Sequence, residues 1–210
     1  MPLPNRVDPH GTLFADTSRG LFFGNRGGRF HRDDRTLGLR RWVSRCWICC
    51  VLAFKGRHRN VWGKGYTELF FLDEPTALAA GHRPCFECRR ADAKAFAAAF
   101  ARGRGSSAVP RAPEMDRVLH AERLDGRAQR RHRLPIDDVP DGAFLVLPDD
   151  PVRPFVVRGK SLLQWTSTGY TMRRPRPRGI VVDVLTAPAI VAALASGYHP
   201  HWHPTASERD

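Results

Sequence analysis

No run in this chain of 210 residues approaches the roughly eighteen consecutive apolar residues that a membrane-spanning helix needs. Nor does Met1-Pro2-Leu3-Pro4-Asn5-Arg6 carry the apolar stretch of a signal peptide, so the reading is a chain with no membrane partner, placed in the cytoplasm. Acid is scarce, with 21 Asp and Glu against 34 Lys and Arg and a formal net charge of +13. That imbalance argues against a cationic partner and for a polyanion. There are five cysteines, an odd number in a chain long enough to bury a core without disulfides. In a reducing compartment a close cysteine pair then reads as a metal or redox site rather than a bridge. Nucleophile elbow, P-loop and dinucleotide fingerprint are all missing. With 17 Pro and 18 Gly, many short elements joined by turns are expected in place of a long helical bundle.

The positive charge is concentrated. Between Arg19 and Lys64 stand 12 Lys or Arg against two acids, Asp33 and Asp34. Gly, Trp and Phe are interleaved with these cations, the pattern of a surface that contacts phosphates and stacks on bases. Arg26, Arg29, Lys55, Arg57, Arg59, Lys64, Arg89 and Arg90 are the expected phosphate contacts, with Trp62 as a base-stacking or wedging residue. DNA is the expected partner, and RNA is a further possibility. A solubilising surface is the plainer reading of the same charge.

Residues 1–18 read as irregular. Leu21 to His31 reads as strand, Gly-rich turn and return strand, and residues 42–54 as one buried strand. A third strand over Tyr66–Leu72 leads to Asp73-Glu74-Pro75, which opens a short helix that Gly81 ends. Pro84-Cys85-Phe86-Glu87-Cys88 opens the next helix, through the alanine-rich stretch to Ala101. Residues 103–113 read as a linker or exposed loop, and 114–124 as a helix that buries Met115, Val118 and Leu119. Short strands follow over Ala143–Leu147, Val152–Val157 and Ser161–Trp165. Arg173 to Arg178 reads as a basic, proline-stiffened link. A last strand at Ile180–Leu185 precedes a helix from Pro188 to Ser196. The expected fold class is α+β: a small zinc-stapled sheet-and-helix module over residues 19–102, then a helix and a short-stranded β-rich half over 114–210 packed against it.

Cys85-x-x-Cys88 lies where a loop enters a helix, so two thiolates can converge on one ion beside the positive end of the helix dipole. A thioredoxin-like redox pair competes with this, but such a pair follows a strand without a Gly-x-Arg-Pro lead. The stretch Glu68-Leu69-Phe70-Phe71 through Ala79-Ala80-Gly81-His82-Arg83-Pro84-Cys85-Phe86-Glu87-Cys88-Arg89 resembles the second half of the Ada-type metal-binding domain. In that family a strand leads to a short alanine-rich helix and then Gly-aromatic-Arg-Pro-Cys-x-x-Cys. The resemblance spans residues 68–89 and implies a zinc module that touches DNA; it does not by itself imply methyl transfer. The family's upstream ligands are Cys-x3-Cys, a spacing that Cys46 and Cys50 share. Within one unbroken strand, however, residues four apart lie about 13 Å apart at ~3.3 Å per residue. Related modules use an upstream His, and Gly24-Asn25-Arg26 with Phe30-His31 resembles that arrangement. The expected Zn2+ ligands are therefore Cys85, Cys88, one of Cys49 and Cys50 with Cys50 preferred, and His31. Cys46 and Cys49 read more simply as small buried apolar residues.

Two groups of residues are candidates for catalysis. Zinc deaminases pair His-x-Glu with Pro-Cys-x-x-Cys, and His120-Ala121-Glu122 supplies the first half, although in reversed order and beyond a flexible segment. Separately, Glu68, Asp73, Glu74 and Glu87 surround the cysteine pair, where a carboxylate among phosphate-binding cations could position a water for base excision or strand cleavage. Capping, solvation or pairing with Arg is the ordinary role of each. Asp116 and His120, one helical turn apart, could serve as orienter and base. His199-Pro200-His201-Trp202-His203 reads as a metal-binding tract or a frayed terminus. The expected function is a zinc-containing DNA-binding protein of repair or genome defence, with base-excising or strand-processing activity. The alternatives are a zinc-dependent hydrolase or deaminase, and a non-catalytic zinc-stapled nucleic-acid-binding module.

Overall fold

The computed structural model describes residues 1–58 and 60–207; Arg59, expected at a phosphate-binding surface, lies outside the described residues. Its architecture is α+β, and no described helix is long and apolar enough to cross a membrane. Short apolar runs punctuated by Gly and Pro build the first sheet: β1 (Arg6–Val7), β2 (Leu13–Phe14), β3 (Phe22–Arg26), β4 (Trp47–Val51) and β5 (Leu69–Phe71). Then α1 (Glu74–Ala79) crosses over to β6 (Arg83–Pro84), giving the order β2-β1-β5-β3-β4-β6. Residues 1–18 thus contribute two strands rather than an irregular segment, because Arg6 and Val7 pair with Phe14 and Leu13, and Arg6 with Phe70 of β5.

The strand expected over residues 42–54 is shorter, and its N-terminal third is a bend. Val43 N and Ser44 N both donate to Arg26 O, at 2.9 and 3.4 Å, and Trp47 Nε1 donates to Ser44 O at 3.0 Å. This bend presses against the turn after β3. A Cβ on Gly27, at φ +80°, would sit 1.8 Å from Ser44 Oγ, so only glycine fits there.

The expected α1 forms as its local signals dictate. Asp73 caps it, with Oδ1 accepting from Thr76 N at 3.0 Å and Thr76 Oγ1 at 2.7 Å, and Gly81 takes the left-handed conformation just past its end. Every residue of this short helix is buried. Leu78 joins the largest apolar cluster, Ala79 a second and Ala77 a third, so α1 is wedged between all of them.

Three helices follow or flank the second half: α2 (Arg90–Gly103), α3 (Ala112–Arg123) and, at the end, α4 (Pro188–Ala195). Between α3 and α4 come the hairpin β7 (Leu124–Asp125) and β8 (Ala128–Gln129), then β9 (His132–Pro135), β10 (Phe144–Leu147), β11 (Asp150–Arg158), β12 (Ser161–Thr166), β13 (Gly169–Pro175) and β14 (Val181–Val184). The last six form a second sheet, ordered β13-β12-β11-β10-β14-β9. Phe144, Leu145, Val146 and Leu147 are all buried because both faces of β10 are covered. Leu145 and Leu147 face Phe96, Phe100, Met115, Leu119 and Ile190 of the helices, whereas Phe144 and Val146 face Leu72 and Ala79. The basic link expected at Arg173–Arg178 is in part β13. An edge strand leaves one row of amides unpaired, which is where arginines and a terminal Pro175 are tolerated.

Candidate metal centre

Parallel pairing of β4 with β6 sets Ile48 opposite Arg83 and Cys49 opposite Pro84, and Cys85 N donates to Cys49 O at 2.9 Å. The chain then turns into α2, which brings Cys88 back toward β4. Successive side chains of a strand point to opposite faces. Cys49 therefore enters the apolar cluster with Phe71 and Leu69, and Cys50 faces Cys85 and Cys88. The sulfurs of Cys50, Cys85 and Cys88 all lie within 4.8 Å of one another, a group that could hold a metal ion. A tetrahedral ion with sulfur bonds of ~2.3 Å keeps its sulfurs roughly 3.8 Å apart, so the three thiols need to close by little. Phe23, Ile48 and Phe70 pack around them, and Cys88 is half-exposed.

Electrostatics favour anionic sulfur here. Donation from Cys50 lowers Cys85 to about 5 against the opposing effect of burial, and the backbone amides of Cys88 and Glu87 act in the same direction. Glu87 N lies 3.4 Å from Cys85 Sγ. Cys88 is lowered too, again chiefly by Cys50, whose own thiol is raised by serving as donor to both. Cys49 is raised by burial in the core, and Arg89 Nη1 donates to its sulfur at 3.5 Å.

His31 is not brought to these thiols. It is buried, with Nδ1 2.8 Å from Thr67 Oγ1 and Nε2 3.0 Å from Gly63 O, and it stacks on Trp62 at 5.0 Å between ring centroids. Both ring nitrogens are engaged, so His31 pins the 60–67 loop to the turn after β3. Trp62 is buried as well. Its N and Nε1 donate to Glu68 Oε2 and Glu68 O, each at 2.9 Å. The expected base-stacking residue and one expected catalytic acid thus hold each other inside the module. Cys46 precedes β4 and lies outside the thiol group; Arg83 Nη2 reaches its sulfur at 3.6 Å.

The remaining carboxylates divide the same way. Asp73 caps α1 and also accepts from Tyr170 OH at 2.7 Å and His203 N at 3.1 Å. Glu74 accepts from Arg89 Nη2 at 2.7 Å, Tyr198 OH at 2.6 Å and His201 N at 2.9 Å. Both acids tie the C-terminal segment to α1. Asp116 receives both Nε and Nη2 of Arg83 at 2.8 Å, so it is not the orienter of His120. His120 instead meets Arg123 Nη2 at 2.9 Å and the rings of Trp42 and Trp47. Glu122 accepts from Ala189 N at 2.8 Å and lies 3.6 Å from Arg104. The His-x-Glu pair therefore does not assemble with the thiols. Glu87 is exposed and paired with Arg57 at 2.7 Å. In the C-terminal tract, His201 faces Asp92 and His203 faces Thr205.

Among the expected phosphate contacts, Arg29, Lys55, Arg57, Lys64 and Arg90 are exposed, whereas Arg26 and Arg89 are buried. Arg29 is partnered by Asp33. Arg32, Arg35, Arg40 and Arg45 extend the exposed basic surface. Two residues that local reading misses are Arg83 and Arg123, both buried. Arg123 had a signal, since it falls four residues after Leu119 and eight after Met115 on the inward face of α3. No family profile, curated protein or solved structure matches the chain.

Proposed function

We infer that the chain is a zinc-stapled DNA-binding protein of DNA repair or genome defence. The carrying observation is the convergence of Cys50, Cys85 and Cys88 beside a segment whose cations face solvent. Three sulfurs, two of them held in the anionic direction, form a soft donor set suited to Zn2+. Zinc bound there supplies a crosslink between β4 and the start of α2. Lys55, Arg57, Lys64 and Arg90 then lie on or next to segments that the thiols hold together, and they contact phosphates. The resemblance of residues 68–89 to the Ada-type module supports the same reading. Asp73, Glu68 and Glu122 are committed to structural hydrogen bonds, which supports a staple; among the carboxylates expected to be catalytic, Glu87 alone is exposed beside the thiols.

Metal analysis and DNA binding test this together. The purified chain is expected to carry about one zinc per molecule and Cys85→Ser to lose it; full retention of zinc by that variant ends the staple. Affinity for duplex DNA is expected to fall with salt, with a slope of about −0.9 per phosphate contact on logarithmic axes. A flat salt response removes the phosphate-contact surface.

A further inference from the structure

A cavity of about 800 Å³ lies between the two sheets, away from the thiols. Its walls come from the β1–β2 turn, Trp47 of β4, the end of α1, the end of α3 with its hairpin, and Pro151, Val152, Pro154 and Trp165 of the second sheet. That volume is within the usual range for small-molecule sites, roughly 300–1,000 Å³.

Its floor is a pair of buried guanidiniums. Arg26 and Arg123 are each 3% exposed and lie over the ring of Trp47, at 4.2 and 3.7 Å from its centroid. Elsewhere in the molecule buried arginines meet carboxylates, as Arg83 does with Asp116 and Arg89 with Glu74. Arg26 and Arg123 instead meet neutral groups. Arg26 donates to Gly11 O at 3.0 Å and to His82 Nε2 at 3.4 Å, and Arg123 to Gly81 O and Arg45 O, each at 2.8 Å. Asp8, which also lines the cavity and holds Thr12 N at 2.8 Å, partly offsets Arg26, and Asp116, already paired with Arg83, partly offsets Arg123. Burial lowers both guanidiniums to about 9, and each lies within the field of a further arginine. More positive charge stands at the rim, on Arg41 and Arg127. Burying two like charges with only partial counter-charge costs stability, which an entering anion offsets.

Three buried polar atoms at or beside this cavity have no partner: Arg123 Nε, His82 Nδ1 and Gln129 Oε1. Gln129 Nε2 is fixed by three carbonyls, of Pro9, Ala79 and Leu185, so its oxygen is a true orphan acceptor. The walls thus offer concentrated cations, aromatic rings on the half-buried Trp42 and Trp165, and one buried acceptor without a partner. We propose that this cavity is a nucleotide-binding site. The phosphate is held by Arg26 and Arg123, and the base is set against the tryptophans with an N–H toward Gln129. Inorganic phosphate alone satisfies the cations and leaves the rings and Gln129 unused; a nucleoside does the reverse. The ligand can be a free mononucleotide or one nucleotide of a strand turned into the cavity, since both present the same chemistry.

The probes are dAMP, dCMP, dGMP and dTMP, their nucleosides, and inorganic phosphate, titrated into the full-length chain by calorimetry and tryptophan quenching. At least one nucleotide is expected to bind roughly tenfold or more tighter than both its nucleoside and phosphate. Equal binding of nucleotide and phosphate, or no saturation by any nucleotide, overturns the proposal. A single-stranded oligonucleotide that competes with the bound mononucleotide identifies the strand as the source, and one that does not compete leaves the free nucleotide; both uphold the site. Arg26→Met and Arg123→Met are expected to abolish nucleotide binding while the ligand-free thermal midpoint holds or rises. A lowered midpoint with binding retained marks the arginines as structural and overturns the proposal. Arg41→Ala and Trp42→Ala, at the half-exposed rim, weaken nucleotide binding without that folding burden; unchanged affinity in both also overturns it. Lys55→Ala with Lys64→Ala should weaken duplex DNA and leave mononucleotide binding untouched, which separates this site from the surface proposed above.

Discussion

Among the described residues four arginines are buried, two at each of two places, and the two places treat them oppositely. Around α1, Arg89 meets Glu74 and Asp92, and Arg83 meets Asp116 through two parallel hydrogen bonds. Across the cavity, Arg26 and Arg123 share one tryptophan ring and face carbonyls and a neutral imidazole. In the first place the charges complete each other and specify how β6, α2 and α3 dock. In the second the charge is only partly offset, by Asp8 and Asp116, and the remainder is a cost that an anion removes. Burial alone does not say whether an arginine is structural; its partners do.

The sharpest way to break this contrast is to remove the counter-charge where it exists. Glu74→Ala leaves the Tyr198 hydroxyl without its acceptor and the buried Arg89 guanidinium with only the partly exposed Asp92 and the Cys49 sulfur. It should cost about 3–5 kcal/mol in denaturant unfolding, enough to leave little native protein in a marginally stable chain. The acid response comes next. His82 is fully buried between Arg26 and Arg123, and burial together with those cations lowers it well below its usual value. The unfolded chain therefore binds a proton below about pH 6.5 that the folded chain refuses. Stability should fall as pH drops through that point, with a slope approaching about 1.4 kcal/mol per unit, and His82→Gln should flatten it. His120, lowered by burial and by Arg123, adds in the same direction. Smaller still is Arg123→Met in the ligand-free protein, expected within about 1 kcal/mol of the parent and on the stable side; a large loss would make the two arginine pairs alike. The smallest effect is at Cys46. With its sulfur beside Arg83 and outside the thiol group, Cys46→Ser should leave bound zinc unchanged, whereas Cys50→Ser should lose it. Zinc loss from both would restore the Cys-x3-Cys pair of the Ada-type pattern.

What was legible in the sequence is what local chemistry decides. Asp73, Pro75 and Gly81 bound α1 because capping depends on neighbours within one turn. The preference for Cys50 over Cys49 had no such local signal behind it; in the structure strand alternation turns Cys50 to the thiols and Cys49 into the core. The failures are non-local. The bend at residues 42–46 depends on Arg26 O, and His31 was drawn to Thr67, 36 residues on, rather than to the thiols. Trp62 and Glu68 look exposed beside so many cations, yet they satisfy each other. The buried arginines were missed for the same reason, since charge composition counts cations without saying which face inward.

The six-residue helix α1 also bears on the order in which the chain can mature. Asp73 closes on Tyr170 across 97 residues, and Glu74 on Tyr198 across 124. While the chain is being made, those two carboxylates emerge long before their hydroxyl partners exist. The crossover of the first sheet is therefore secured by partners that lie far along the chain. Loop closures this long are slow. His201 N and His203 N complete the seal on α1, so one short helix ties together parts of the chain more than a hundred residues apart.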